Sequence, residues 1–156
     1  MSATAKDSPG VIAPPPLIVV GHVALGLALD AAWPAPVFEA TAQGIAGGAL
    51  LAAGLGLVLA CARRFRRAGT NVPTWQPTTA LVTDGPYRFS RNPIYVGLAL
   101  GYAGLAVVID SAWLLALLVP LLAILHVGVI RREEAYLEAK FPDAYRAYTR
   151  RVRRWL

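Results

Sequence analysis

The chain has 156 residues, about the length of one domain, so residues 1–156 are treated as a single unit. Its residues are 56% hydrophobic and only 15% charged, against about 25% charged in soluble domains, which excludes an ordinary soluble protein. The net charge is +6, but no soluble fold is left to present a nucleic-acid-binding surface, and the lone Cys61 excludes a disulfide framework.

Apolar segments predict an all-α membrane bundle of four transmembrane helices. They cover residues 17–33, 39–62, 93–109 and 112–131. A helix needs about 20 apolar residues to cross the hydrocarbon core, and the second and fourth segments satisfy this requirement. Only Asp110 and Ser111 separate the last two segments, which predicts a tight helical hairpin. The first segment also has the length of a signal-peptide core, which leaves a cleaved leader as an alternative.

Basic residues fall in three stretches that alternate with the apolar segments. Lys6 precedes the first segment, six arginines lie between the second and third, and eight Lys or Arg residues lie at the end of the fourth or after it. The connections near Trp33 and at Asp110 contain none. Because basic loops favour the cytosolic side of a membrane, we predict a multi-pass integral membrane protein with both termini in the cytosol.

A long cytosolic loop is predicted over residues 63–93. Prolines such as Pro73 and Pro86 keep it from forming one helix, and loops of this length are usually functional. At its end, Asn92 suits the N-cap and Pro93 the first turn of the third helix. The side chains brought to this helix start are Arg88, Arg91 and Tyr95.

Glycines on the third helix have two interpretations. Gly97, Gly101 and Gly104 are spaced by four and three residues, which places them on one helix face. Small residues on one face are typical of close helix packing in membranes. The same face could instead leave space for a ligand.

Ionisable residues on the fourth helix also have two interpretations. Glu133 and Glu134 follow His126 by about two turns, so all three lie on nearly the same face. The carboxylates could be surface ion-pair partners of neighbouring arginines, and His126 could be a packed bundle residue. Ionisable groups near membrane depth are, however, candidates for a functional site.

The C-terminal region beyond Pro142 predicts an amphipathic basic helix. Its apolar residues recur at spacings of four and three, and are Phe141, Tyr145, Tyr148, Val152 and Trp155. Arginines occupy much of the remainder. This pattern is typical of a helix that lies in the membrane interface and attracts anionic lipids.

Several blocks of the chain, in this order, resemble the isoprenylcysteine carboxyl methyltransferase and phospholipid methyltransferase family. The blocks are Leu81-Val-Thr-x-Gly-Pro-Tyr-Arg-x-Ser-Arg-Asn-Pro-x-Tyr-x-Gly97, a hydrophobic hairpin, Arg132-Glu-Glu-x-x-Leu137 and Phe141-Pro-x-x-Tyr-x-x-Tyr148. The resemblance covers residues 63–156, the predicted catalytic block. It implies transfer of a methyl group from S-adenosylmethionine to a lipid-like acceptor, such as the carboxylate of an isoprenylcysteine-like molecule or a lipid amine.

The resemblance also implies a cofactor site at the cytosolic face. The residues that match the family motifs there are Arg91, Pro93, Tyr95, Gly97, Glu133 and Glu134. Asn92 stands where the prenylcysteine enzymes usually have His, and we include Asn92, Gly101 and His126 among the predicted cofactor-binding residues. Arg88 and Arg91 are the predicted catalytic residues, because a guanidinium can orient an acceptor carboxylate. No metal is predicted, since methyl transfer depends mainly on alignment.

Two other functions remain open at this stage. Membrane sterol reductases, which use NADPH, resemble the same C-terminal block. A non-catalytic membrane protein of the same fold is the other alternative.

Overall fold

The computed structural model describes residues 7–38, 40–71 and 76–156, without the side chains of residues 40–42. Lys6, Glu39 and Pro73, which entered the sequence predictions, lie outside the described residues. All regular secondary structure in the described residues is helical, which confirms the all-α prediction.

Six α-helices form over the part of the chain that the structure describes. They are α1 (Pro15–Ala32), α2 (Ala40–Arg67), α3 (Pro93–Ile109), α4 (Ala112–Leu125), α5 (Arg131–Lys140) and α6 (Pro142–Thr149). A π-helical turn, His126–Ile130, joins α4 to α5, so that one helix runs continuously from Ala112 to Lys140. A short 3-10 turn, Gly85–Arg88, precedes α3.

Within the described ranges, three helices are long and apolar enough to cross a membrane. They are Pro15–Ala32, Gln43–Arg67 and Ala112–Lys140, and they correspond to the first, second and fourth predicted spans. The third predicted span, α3, is a shorter apolar helix of 17 residues. The predicted loop over residues 63–93 starts later than expected, because α2 continues through its arginines to Arg67.

The four apolar helices pack in the order α2, α3, α4, α1. Helix α3 contacts both α2 and α4, and α1 packs mainly against α4. The core between these helices contains Tyr102, Ala106, Leu114 and Leu121, all buried. Each helix therefore runs beside neighbours of opposite direction, as the short α3–α4 hairpin requires.

Glycines allow α2 and α3 to approach closely. A Cβ atom on Gly97 would lie 2.8 Å from Val58 Cγ2 and 2.9 Å from the Gly54 carbonyl oxygen, and one on Gly104 would lie 2.8 Å from the Gly47 carbonyl oxygen. A side chain at either position would push the helices apart. Of the two interpretations, helix packing is the one that describes these two glycines.

The connections without basic residues meet at one end of the bundle. Asp110 adopts a left-handed conformation (φ 59°), and its carboxylate accepts hydrogen bonds from the backbone N–H groups of Val37 (2.7 Å) and Phe38 (2.8 Å). The Trp113 ring nitrogen donates to the Trp33 carbonyl at 2.7 Å. We call this the Asp110 end, and the opposite end, where α2 ends and α3 and α5 begin, the basic end.

The C-terminal helix differs from its prediction. It ends at Thr149 instead of continuing to Trp155, and its aromatic residues Tyr145 and Tyr148 are buried. Val152 and Trp155 also pack against the protein. The apolar stripe expected to face the membrane interface therefore contacts the chain itself, because a spacing of four and three does not distinguish lipid from protein as the partner.

Candidate functional site

A cavity of about 360 Å³ opens at the basic end. Parts of α2, α3, α5, α6 and the loop after α2 surround it, and its lining is mainly apolar. Its volume lies within the range of roughly 300–1,000 Å³ that is usual for small-molecule sites. The polar side chains at its walls, besides tyrosines, are those of Asn71, Thr78, Arg91, Asn92, Glu133 and Glu134.

Glu133 and Tyr95 form a hydrogen-bonded pair in the cavity wall. The Tyr95 hydroxyl donates to Glu133 Oε1 at 2.7 Å. The helix from Ala112 to Lys140 has 29 residues, a length of about 43 Å, so with Ala112 at one edge of a hydrocarbon core of about 30 Å, Glu133 lies beyond the other edge. Burial raises the pKa of Glu133 to about 7, against the lowering effect of Tyr95 and with a small contribution from the charge of Glu134. The Glu133 carboxylate therefore gains or loses its proton near neutral pH.

Glu134 is instead held by arginines. The Arg154 guanidinium donates to both of its oxygens, with Nε at 3.1 and 3.0 Å and the terminal nitrogen at 2.7 Å from Oε2. Arg91 lies 3.4 Å from its other oxygen. The Glu134 side chain is only 12% exposed, whereas Arg154 is partly open to water, so the ion pair is half-buried. Two adjacent glutamates thus have different surroundings.

Asn92 binds the C-terminal residues to the start of α3. Its side-chain amide donates to the Arg154 carbonyl at 3.0 Å and more weakly to Glu134 at 3.4 Å, and it makes no hydrogen bond that caps α3. The backbone N–H of Arg91 donates to the Arg153 carbonyl at 2.9 Å. The predicted N-cap position is correct, but the side chain bonds to the C-terminal residues instead of capping the helix.

An arginine and three tyrosines complete this wall. The Arg91 Nε is buried and has no hydrogen-bond partner among the described residues. The Tyr148 hydroxyl donates to the Tyr87 carbonyl at 2.7 Å, and the rings of Tyr145 and Tyr148 meet edge to face, with centroids 6.2 Å apart. Burial raises the pKa of Tyr145 to about 12, so its hydroxyl stays protonated.

Five of the ten predicted site residues line the cavity. They are Arg91, Asn92, Tyr95, Glu133 and Glu134. Pro93 and Gly101 do not line it, and Gly97 faces α2. Arg88 is exposed in the 3-10 turn, and His126 stacks on the Trp155 ring, with centroids 6.1 Å apart. The structure therefore brings together five of the predicted residues, but not the predicted catalytic Arg88, Pro93, the two glycines or His126.

Several cavity residues were not expected from the sequence. They are the tyrosines Tyr87, Tyr136, Tyr145 and Tyr148 and the prolines Pro9, Pro15 and Pro16. The two tyrosines of the last quoted block were the available signal, but their spacing was assigned to a membrane-facing stripe. No three His, Cys, Asp or Glu side chains in the described ranges come together as ligands for one metal ion.

The chain belongs to the phospholipid methyltransferase family, whose sequence profile matches residues 42–144, more than half of the chain. This confirms the resemblance seen in the motifs.

Curated relatives match shorter segments. The cobalt-zinc-cadmium resistance protein CzcN of Cupriavidus metallidurans is 39% identical over 72 residues, which cover 46% of this chain and 33% of that protein. The nickel-cobalt-cadmium resistance protein NccN of Alcaligenes xylosoxydans xylosoxydans is 39% identical over 75 residues, 48% of this chain and 35% of that protein. The alignments thus span about a third of the length of these relatives. No solved structure matches the chain.

Proposed function

We propose that the chain is an S-adenosylmethionine-dependent methyltransferase with a membrane-embedded or hydrophobic acceptor. The observation that carries this proposal is the placement of Glu133, Tyr95 and Arg91 around one mainly apolar cavity at the basic end. Membership of the phospholipid methyltransferase family supports the same chemistry. The acceptor is a lipid amine or an isoprenylcysteine-like carboxylate.

The residues present fit this cofactor. Its ammonium group and ribose hydroxyls need a hydrogen-bond acceptor, which the Glu133 carboxylate supplies. Its carboxylate needs a donor, and the buried Arg91 Nε has no other partner in the described part of the chain. The faces of Tyr145 and Tyr148 suit a positively charged sulfonium, because aromatic rings attract cations.

The protein's contribution to methyl transfer is alignment and exclusion of water. When bound, S-adenosylmethionine supplies an activated methyl group. Tyr95 fixes the orientation of the Glu133 carboxylate through its 2.7 Å hydrogen bond. Arg154 holds the Glu134 carboxylate in an ion pair. The apolar lining removes water that would compete with the acceptor. Correct alignment of reacting atoms accounts for much of the acceleration such a reaction needs.

We also propose that α3 is the fourth membrane span and that both termini are cytosolic. Helix α3 is packed between α2 and the helix that begins at Ala112, both long enough to cross a membrane. A helix held between two spanning neighbours and joined to one of them by a tight hairpin crosses with them. The arginines of α2 and α5 then lie on one side, as the distribution of basic residues in membrane proteins favours.

Titration of the purified protein in detergent with S-adenosylhomocysteine and with NADPH tests the function. We expect saturable binding of S-adenosylhomocysteine, weakened in Glu133→Gln and unchanged in Glu138→Gln, whose side chain forms an exposed ion pair with Arg146. Binding of NADPH alone would indicate a reductase. Binding of neither would indicate a non-catalytic protein. Transfer of label from methyl-labelled cofactor to a membrane lipid extract would then identify the acceptor class.

A further inference from the structure

The residues before α1 fold back along α5. We call these residues together with the first two residues of α1, Asp7–Pro16, the N-terminal strap. The Asp7 carboxylate accepts hydrogen bonds from Lys140 Nζ and from the Tyr136 hydroxyl, each at 2.7 Å. The Gly10 carbonyl accepts from Arg132 at 2.8 Å. Three residues of α5 therefore hold the first part of the strap.

The π-helical turn holds the middle of the strap. The Ile12 backbone N–H donates to the Gly128 carbonyl at 3.2 Å. A Cβ atom on Gly128 would lie 2.8 Å from Ile12 Cγ1, so the glycine leaves a notch that the Ile12 side chain fills. A wide π turn leaves carbonyl groups available for such contacts, and π turns often occur at functional sites. The notch fixes the position of the strap along the helix.

The strap forms one wall of the cavity. Pro9, Pro15 and Pro16 are among its lining residues. Proline has no backbone N–H, so this wall offers carbon surface and no hydrogen-bond donor from these residues. The strap also lies outside residues 42–144, which match the family. The prolines of this wall therefore lie outside the matched region.

We propose that the N-terminal strap is a specificity-determining wall that admits only narrow, apolar groups to its own side of the cavity, apart from the charged wall of Arg91 and Glu133. With the strap in place, the cavity of about 360 Å³ lies near the lower limit of small-molecule sites. For the methyl acceptor, this proposal rests on the proposed function. The part of the acceptor that lies beside the prolines is then apolar and thin, and the wall excludes bulkier acceptors by their shape.

A single reporter cysteine tests the size limit without any catalysis. The chain has one native cysteine, so Cys61→Ser with Ala62→Cys places one thiol in the cavity wall. Its reaction rate is measured with N-ethylmaleimide and with the bulky N-(1-pyrenyl)maleimide. We expect the small reagent to react at least ten-fold faster. Equal rates would overturn the proposal.

Loosening the strap should remove this selectivity. In the protein with the reporter cysteine, Asp7→Ala removes the ion pair with Lys140, and Ile12→Ala removes the side chain in the notch. With both changes, we expect the ratio of the two maleimide reaction rates to fall about ten-fold, which corresponds to about 1.4 kcal/mol. Leu17→Ala, an exposed apolar residue of α1 that does not line the cavity, is the matched control and should leave the ratio unchanged. An unchanged ratio of reaction rates in the Asp7→Ala, Ile12→Ala variant would refute the proposal that the strap limits what enters the cavity.

A disulfide provides a second, independent measurement of the strap's position. In a Cys61→Ser background, Ile12→Cys with Gly128→Cys should oxidise readily within one molecule, because Cβ of residue 128 points at the side chain of residue 12. The pair Leu17→Cys with Gly128→Cys is the control and should stay reduced. Failure of the first pair to oxidise would overturn the proposal. If the small maleimide labels the reporter cysteine faster but no methyl group is transferred to any lipid extract, the proposed function would be refuted, whereas the proposal about the strap would stand.

Discussion

Replacing the two adjacent glutamates should separate ligand binding from stability. Glu133→Gln keeps an oxygen that can accept from Tyr95 but loses the charge that faces the cavity. A charge-assisted hydrogen bond exceeds a neutral one by about 1.5 kcal/mol, so we expect the Kd for S-adenosylhomocysteine to rise roughly ten-fold with little change in Tm.

Glu134→Gln should instead weaken the fold. It removes the ion pair with Arg154 and leaves Arg91, whose side chain is only 14% exposed, without a counter-charge. Breaking a fully buried pair costs about 3–5 kcal/mol and an exposed pair about 0–1. Because Arg154 is 39% exposed, we expect about 2 kcal/mol, or a Tm lower by roughly 4–8 °C.

Calorimetric titration and thermal unfolding in one detergent measure both effects. Glu138→Gln is the control, because its partner Arg146 is exposed and the loss should stay below about 1 kcal/mol. The reasoning would be refuted if Glu133→Gln bound normally while Glu134→Gln lost binding at an unchanged Tm, since the two glutamates would then have exchanged roles.

Three further predictions address pH, packing and topology. Because burial raises the pKa of Glu133 to about 7, its carboxylate takes up a proton as pH falls through this value, and S-adenosylhomocysteine should then bind less tightly. In Glu133→Gln, the Kd should depend much less on pH. Gly97→Ala should cost about 1–3 kcal/mol and lower Tm by several degrees, because the methyl group added at residue 97 meets α2. Gly101→Ala should leave Tm unchanged, because a methyl group at residue 101 meets no neighbouring atom. Reporter fusions at Ala35 and after Leu156 should lie on opposite sides of the membrane; the same side for both would rule out four spans.

Hydropathy and motif spacing predicted the helices because both depend on local sequence. The uncharged runs gave four helices, and α3 falls short of spanning length only because Pro93 and Asp110 limit it to 17 residues. The C-terminal stripe was assigned to the wrong partner. A run of apolar residues at helical spacing shows that one face is buried, but the neighbour that buries it is decided by the tertiary fold.

The same limit explains which parts of the site the sequence could indicate. Charged and amide residues such as Arg91 and Glu133 are costly to bury without a function or partner, so their motif indicated the cavity. Gly97 had two interpretations, and only the position of α2 distinguishes them. The N-terminal strap gave no signal, because its position depends on backbone hydrogen bonds and on a π turn at Gly128 that no periodicity predicts.

The carboxylate of Asp110 joins two connections that are far apart in the sequence. It ties the connection between α1 and α2 to the α3–α4 hairpin through two short hydrogen bonds. A carboxylate that accepts hydrogen bonds from two backbone N–H groups fixes both connections at once, so sliding of one helical pair along the other would break both hydrogen bonds together. The end of the bundle far from the cavity therefore sets the register of the helices whose opposite ends form the cavity wall.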